Sequence, residues 1–136
     1  MRFGNVDIPE NLSYTKNHLW VNIKDGLCTL GWTDYIQSQA GDVNHIDLPQ
    51  KGTPVAVNQE FGTIETGKWV DRLYSPVNGL VVEVNDRVIH NPELINKAPF
   101  TDGWFIKVDL QAEMGSQNLM SPMEYFEHIK ACEKRS

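Results

Sequence analysis

Chain-breaking residues recur at short intervals, and that spacing limits what this chain can fold into. Asp25-Gly26, Gly41, Pro49, Lys51-Gly52-Thr53-Pro54, Thr66-Gly67, Pro76 and Asn78-Gly79 divide the first part of the chain into brief runs. The runs at 19–23, 27–30, 43–48, 55–57, 61–65, 69–74 and 80–84 are rich in aromatic and β-branched side chains. Runs this short suit pleated strands better than helices, which need a longer stretch to nucleate. Asp25-Gly26 and Asn78-Gly79 are two-residue signals of the kind that close hairpins. A further strand is predicted at 104–108, after a loop at 100–102. The expectation is a mainly β fold, a small sandwich or flattened barrel of two sheets with short helices. One domain is expected to span 1–136, since 136 residues support one core with little to spare.

Helix signals are fewer. Thr33 is a candidate N-cap for a helix at 35–40, with Gly41 as its terminator. Asn91-Pro92 predicts a short helix with asparagine as cap and proline at the first helical position. Ser121-Pro122-Met123-Glu124 has the spacing of a capping box. The closing helix it starts runs to about residue 133, with Met123, Phe126 and Ile129 expected on one face. Pro9 and Asn11 predict an irregular lead-in over the first dozen residues.

Composition excludes several function classes. No run approaches the roughly eighteen apolar residues of a membrane helix. The first seven residues lack the apolar segment of a secretory signal, so a cytoplasmic location is expected. A net charge of −6 leaves no basic stripe to release counterions from a nucleic acid. Lys130, Lys134 and Arg135 cluster near the end, but Glu127 and Glu133 are interleaved with them, as on a solvated helix face. Cys28 and Cys132 form no C-x-x-C pair and read as separate thiols, Cys28 within an apolar strand. His18, His45, His90 and His128 share no metal-ligand spacing, so no metal site is predicted. His18 reads as a structural hydrogen-bonder within a strand.

The most informative stretch is 61–79. Gly62, Gly67 and Lys68 satisfy most of the phosphate-loop pattern, but Trp69 stands where a hydroxyl should hold the metal ion. A phosphate loop also needs a helix after its lysine, and here Pro76 and Gly79 would break one. The residues favour a β-hairpin, with Thr66-Gly67 as the turn, Gly67 free to take a positive φ, and Lys68 projecting at the tip.

Glu65-Thr66-Gly67-Lys68, followed at fixed distance by Ser75-Pro76-Val77-Asn78-Gly79, resembles the modification site of lipoyl carriers, and most of all the H protein of the glycine cleavage system. Tyr14 through Trp20, Gly31-Trp32-Thr33-Asp34-Tyr35, Gly41-Asp42, Asp47-Leu48-Pro49, Asn91 through Asn96 and Gly103-Trp104 extend the resemblance over nearly the whole chain. It implies a lipoyl-domain fold and a non-catalytic carrier, with lipoic acid joined to Lys68 as an amide. Glu65, Thr66 and Gly67 would shape the turn for a lipoate ligase or lipoyl synthesis enzymes. Gly79 would let the adjacent hairpin lie close. Trp69 replaces the small residue usual after the lysine and offers a flat surface beside the dithiolane or a partner.

Two departures concern cargo. H proteins carry an aminomethyl cation, and the resemblance assigns its holding to acids where this chain has Leu19 and Arg72. A cation within about 4 Å of Arg72 would meet repulsion of roughly 1–4 kcal/mol. His45 falls in a segment that is usually apolar in H proteins and is a further candidate cargo contact. The Glu65 to Arg72 segment is similar to H-like lipoate-binding proteins of sulfur oxidisers. That similarity implies a monomeric shuttle for sulfur intermediates, working with a heterodisulfide-reductase-like complex and a dihydrolipoyl dehydrogenase. An aminomethyl-carrying glycine cleavage H protein and a biotin carrier are the alternatives.

Overall fold

The computed structural model describes residues 1–110 and 119–135. Among these residues the strands form three sheets. A two-residue pair, β1 (Arg2–Phe3) and β2 (Val6–Asp7), turns at Gly4, whose φ is 61°. The lead-in is therefore ordered rather than irregular. It is tied down because Ile8 is fully buried and its amide donates to the Met1 carbonyl at 2.8 Å.

The large sheet has the order β3 (Ser13–Tyr14), β4 (Leu19–Lys24), β5 (Leu27–Trp32), β11 (Ile106–Asp109), β10 (Gly79–Val84) and β7 (Pro54–Val55). The small sheet has the order β6 (Val43–Asp47), β8 (Glu60–Thr66) and β9 (Val70–Tyr74). Every pairing in both is antiparallel. The β4–β5 turn is the one its sequence demands: Asp25 and Gly26 sit at φ 52° and 77°, the paired positive angles that match strand twist.

Helices decorate the sheets. Helix α1 (Asp34–Ala40) begins at Thr33, whose hydroxyl accepts from the Ile36 amide, and ends at Gly41 with φ 85°. Helix α2 (Asp86–His90) is additional to those expected; the Asn85 side chain caps it by accepting from the Arg87 amide. Helix α3 (Glu93–Lys97) comes next, but Pro92 rather than Asn91 is its boundary residue and no side chain caps it. Asn91 instead closes α2, its amide donating to the Arg87 carbonyl. Helix α4 (Pro122–Arg135) opens with the capping box formed: the Glu124 amide donates to Ser121 Oγ at 3.1 Å, and the Ser121 amide to Glu124 Oε1 at 2.9 Å. Its buried face is Tyr125 and Ile129, whereas Met123 is 56% exposed and does not belong to it. Among the described residues, no helix is long and apolar enough to cross a membrane.

Two cores result. Leu19, Leu30, Trp32, Ile46, Ile64, Leu73, Val81, Phe105 and Val108 join the large and small sheets into a sandwich. Ile8, Leu12, Tyr14, Trp20, Tyr35, Tyr125 and Ile129 form a second cluster under α4. Strand β4 serves both, since Leu19 and Val21 belong to the first and Trp20 to the second. Cys28 is fully buried, and loss of solvent pushes its thiol up to about 12, which leaves it inert.

Candidate functional site

The hairpin of β8 and β9 is built from its ends inward. Ile64 and Leu73 bury one face against the sandwich core, and Phe61 anchors the base. Directly paired residues share a face, so the register Thr63 with Asp47 and Arg72, and Glu65 with His45 and Val70, puts these six on the opposite, outer face. That face is polar. His45 Nε2 lies 3.0 Å from Asp47 Oδ1, and Arg72 Nη1 lies 3.6 Å from Glu60 Oε1.

At the tip the turn is held by a side chain. Thr66 is buried, and its Oγ1 accepts from the Lys68 amide at 3.1 Å and the Trp69 amide at 3.3 Å. Its own amide donates to the Trp69 carbonyl at 3.0 Å, closing the turn. Gly67 does not take the positive φ expected of it, and a Cβ there would meet open space. The threonine hydroxyl fills the role that the sequence assigned to the glycine.

Lys68 is exposed and reaches across to α1. Its Nζ donates to the Gln39 carbonyl at 3.1 Å. Carbonyls in the last turn of a helix lack intrahelical partners and carry partial negative charge, which suits an ammonium. Gly41 lies alongside, where an added Cβ would come within 4.0 Å of Lys68 Cε. Gln39 and Gly41 are site residues that the sequence did not single out. The helix cap and terminator were legible, but not that its end meets a lysine 29 positions away. The chain leaves Lys68 as strand β9, not as a helix, in line with the hairpin favoured over a phosphate loop.

The remaining candidates divide. Trp69 is 40% exposed and Val70 63%, an apolar pair at the tip beside the lysine. Glu65, Arg72 and His45 stand on the polar outer face. Leu19 is 1% exposed within the first core and cannot touch a cargo; an aliphatic side chain there simply completes the sandwich. Gly79 is not part of the lysine hairpin. It begins β10, pairs with Val55, and an added Cβ would run into the Asp109 carbonyl and Val108 of β11. The residue that lets the hairpin itself lie close is Gly62, which lies against the Asp47 carbonyl.

Asp71 faces the same side as Ile64, opposite which it pairs. Burial pushes its carboxyl above the usual range, partly offset by the Arg72 amide donating to Oδ1 at 2.9 Å. His18 is in a turn before β4, with φ 68°, rather than in a strand. Burial, with His128 nearby, lowers its imidazole to about 4.

The glycine cleavage H-protein family profile matches residues 12–132, a span that contains the lysine hairpin and both sheets of the sandwich. The glycine cleavage system H protein of Rubrobacter xylanophilus is 41% identical over 125 residues, covering 92% of this chain and 97% of its own length. That of Halothermothrix orenii is 37% identical over 128 residues, covering 94% of this chain and all of its own. The crystal structure of a glycine cleavage system H protein from Mycobacterium marinum superposes with a TM-score of 0.84 at 31% identity, over 90% of this chain and 99% of the other. Proteins of this family carry lipoate covalently attached to a lysine. With fold, length and hairpin in agreement, this chain belongs to the glycine cleavage H-protein family.

Proposed function

We propose that the chain is a lipoyl carrier whose attachment residue is Lys68, serving as the H protein of a glycine cleavage system. The observation that supports this most is the exposed Lys68 amine at a hairpin tip inside the family match, held only loosely by a helix-end carbonyl. The residues fit the group. The amine is reachable and the turn that presents it is fixed by Thr66.

Amidation removes the ammonium charge, and with it the attraction to the Gln39 carbonyl that holds Lys68 against α1. When bound, the dithiolane supplies redox and group-carrying chemistry on a flexible tether. The chain's own contribution is presentation. Thr66 orients the tip, Trp69 and Val70 offer an apolar contact for partners, and the sandwich keeps the hairpin rigid. Tethering raises the effective concentration at successive partner sites to the order of millimolar. The expected partners are lipoyl-attachment enzymes and the enzymes of glycine cleavage, and no catalysis is assigned to the carrier.

A second reading, carriage of sulfur intermediates, draws on Arg72. Its guanidinium would favour an anionic cargo where the family resemblance expects an acid. The outer face weakens that reading. Glu60 partners Arg72, and Asp47 and Glu65 stand on the same sheet, so a cationic aminomethyl group meets no bare positive charge there.

Intact mass before and after incubation with a lipoate ligase, ATP and lipoate tests the attachment. One lipoyl addition is expected on the wild type and none on Lys68→Arg. An unmodified wild type, under conditions that load another H protein, would overturn the proposal. Glycine–bicarbonate exchange with a glycine decarboxylase tests the cargo, and a loaded carrier that supports no exchange would favour the sulfur reading.

A further inference from the structure

The fold brings His18 against two ligand-type side chains from the other end of the chain, and none of the three belongs to the lysine hairpin. Helix α4 places His128 and Cys132 one turn apart on the same face, with Cys132 Sγ 3.9 Å from His128 Nε2. His18 meets them from the turn before β4. Its backbone is fixed at both ends, its amide donating to the Thr15 carbonyl at 3.0 Å and its carbonyl accepting from the Thr33 amide at 3.0 Å. The two imidazole centroids are 5.5 Å apart. One ligand atom from each of the three residues lies within 4.8 Å of the others, and all three side chains are partly buried rather than sealed.

We propose that His18, His128 and Cys132 form a binding site for Zn²⁺, with a fourth coordination position open to solvent. The donor set, two imidazoles and a thiol, is one that zinc accepts, and three protein ligands with an open position are a recurrent zinc arrangement. Tetrahedral bonds of about 2.3 Å to sulfur and 2.0–2.1 Å to nitrogen would put the ligand atoms about 3.3–3.6 Å apart. The observed separations, 3.9 Å between Cys132 Sγ and His128 Nε2 and within 4.8 Å for all three, are of that order. Support behind the ligands is also in place. His18 Nδ1 is 2.9 Å from the Tyr125 hydroxyl, which in turn is 2.7 Å from Thr33 Oγ1. That hydroxyl chain holds the His18 ring in place, as outer partners of metal-binding histidines do. His128 Nε2 donates to the Lys16 carbonyl at 3.1 Å, and zinc binding exchanges that contact for the ion.

The test uses the full-length Lys68→Arg chain, shown by intact mass to carry no arm, so that no dithiol of a cofactor contributes. Calorimetric titration of the metal-free protein with Zn²⁺ is expected to give one ion per chain. His128→Ala and Cys132→Ala should each weaken binding about tenfold or more. His90→Ala, on the exposed face of α2, should leave it unchanged. Co²⁺ in place of Zn²⁺ should show the intense visible bands of a tetrahedral ion and a near-ultraviolet thiolate charge-transfer band that disappears in Cys132→Ala. No stoichiometric binding, binding indifferent to both α4 substitutions, or a cobalt complex without the thiolate band would overturn the site. Far-ultraviolet circular dichroism of each variant shows whether a loss reflects unfolding, and the cobalt spectrum of the folded Lys68→Arg chain decides independently.

Discussion

At Thr66 a single hydroxyl holds two backbone amides that the hairpin tip would otherwise leave to solvent. Thr66→Ala should lower stability by about 1 kcal/mol. That corresponds to a melting midpoint lower by roughly 3–5 °C, and Thr66→Ser should restore most of it. Gly67 beside it behaves differently, because its φ is not positive and an added Cβ would meet nothing within 4 Å. Gly67→Ala should leave the denaturation midpoint unchanged or raise stability by up to about 1 kcal/mol, through the unfolded chain's lost freedom. A clear destabilisation would mean that the turn needs the glycine after all. Asp71 supplies a pH-dependent test. Its carboxyl is raised in the folded state by burial beside Ile64, so the folded chain binds that proton more tightly than the unfolded chain. Whatever stability the protonated form contributes is present in acid and lost as pH rises through the folded value. Asp71→Asn should therefore raise the midpoint at pH 7, with the gain shrinking as pH falls into the carboxylate range. A gain that is flat with pH would place the effect elsewhere.

The elements that can be read from sequence are those whose local chemistry and tertiary role agree. Asp25-Gly26, the Thr33 cap with its Gly41 stop, and the Ser121–Glu124 box each solve a backbone problem within a few residues, and each appears as predicted. The misses needed distant partners to decide them. Helix α2 depends on Asn85, whose Nδ2 also donates to the Asp102 and Trp104 carbonyls at 2.8 and 2.7 Å, contacts invisible along the chain. Spacing places Met123 on the buried face of α4, but the second core takes Tyr125 because Tyr14 stacks on it with centroids 4.6 Å apart. The same limit applies to the site. Lys68 is legible as a tip residue; Gln39 is not, and the close approach expected of Gly79 at the lysine hairpin belongs to Gly62. The glycines yield an element-level prediction. Gly79→Ala would force its Cβ into β11 and should cost about 1–3 kcal/mol, against little or nothing for Gly67→Ala. Equal effects in urea unfolding would contradict this reading of the two strands.

At the scale of the whole molecule, the question is whether the sandwich and the α4 cluster are one folding unit. They share β4, which sends Leu19 and Val21 into one core and Trp20 into the other, so neither can lose its packing without disturbing the other. Gly31 strengthens the link, because its missing side chain lets the Trp20 indole lie directly on β5. Trp20 Nε1 also donates to the Pro99 carbonyl at 2.8 Å, tying in the segment after α3. From α4, the Tyr125 hydroxyl contacts both His18 Nδ1 and Thr33 Oγ1, at the entrance to β4 and the cap of α1. Tyr35 on α1 donates to Glu133 at 2.7 Å, joining the same helices a second time. The molecule should unfold in one step, with fluorescence and far-ultraviolet circular dichroism coincident and calorimetric and van't Hoff enthalpies equal. Tyr125→Phe removes a hydroxyl with one buried and one partly buried contact and should cost about 1–2 kcal/mol, moving that single transition to lower denaturant without splitting it. An early transition in which α4 detaches while the sheets persist would show instead that the second core is an appendage, and that the rigidity presenting Lys68 comes from the sandwich alone.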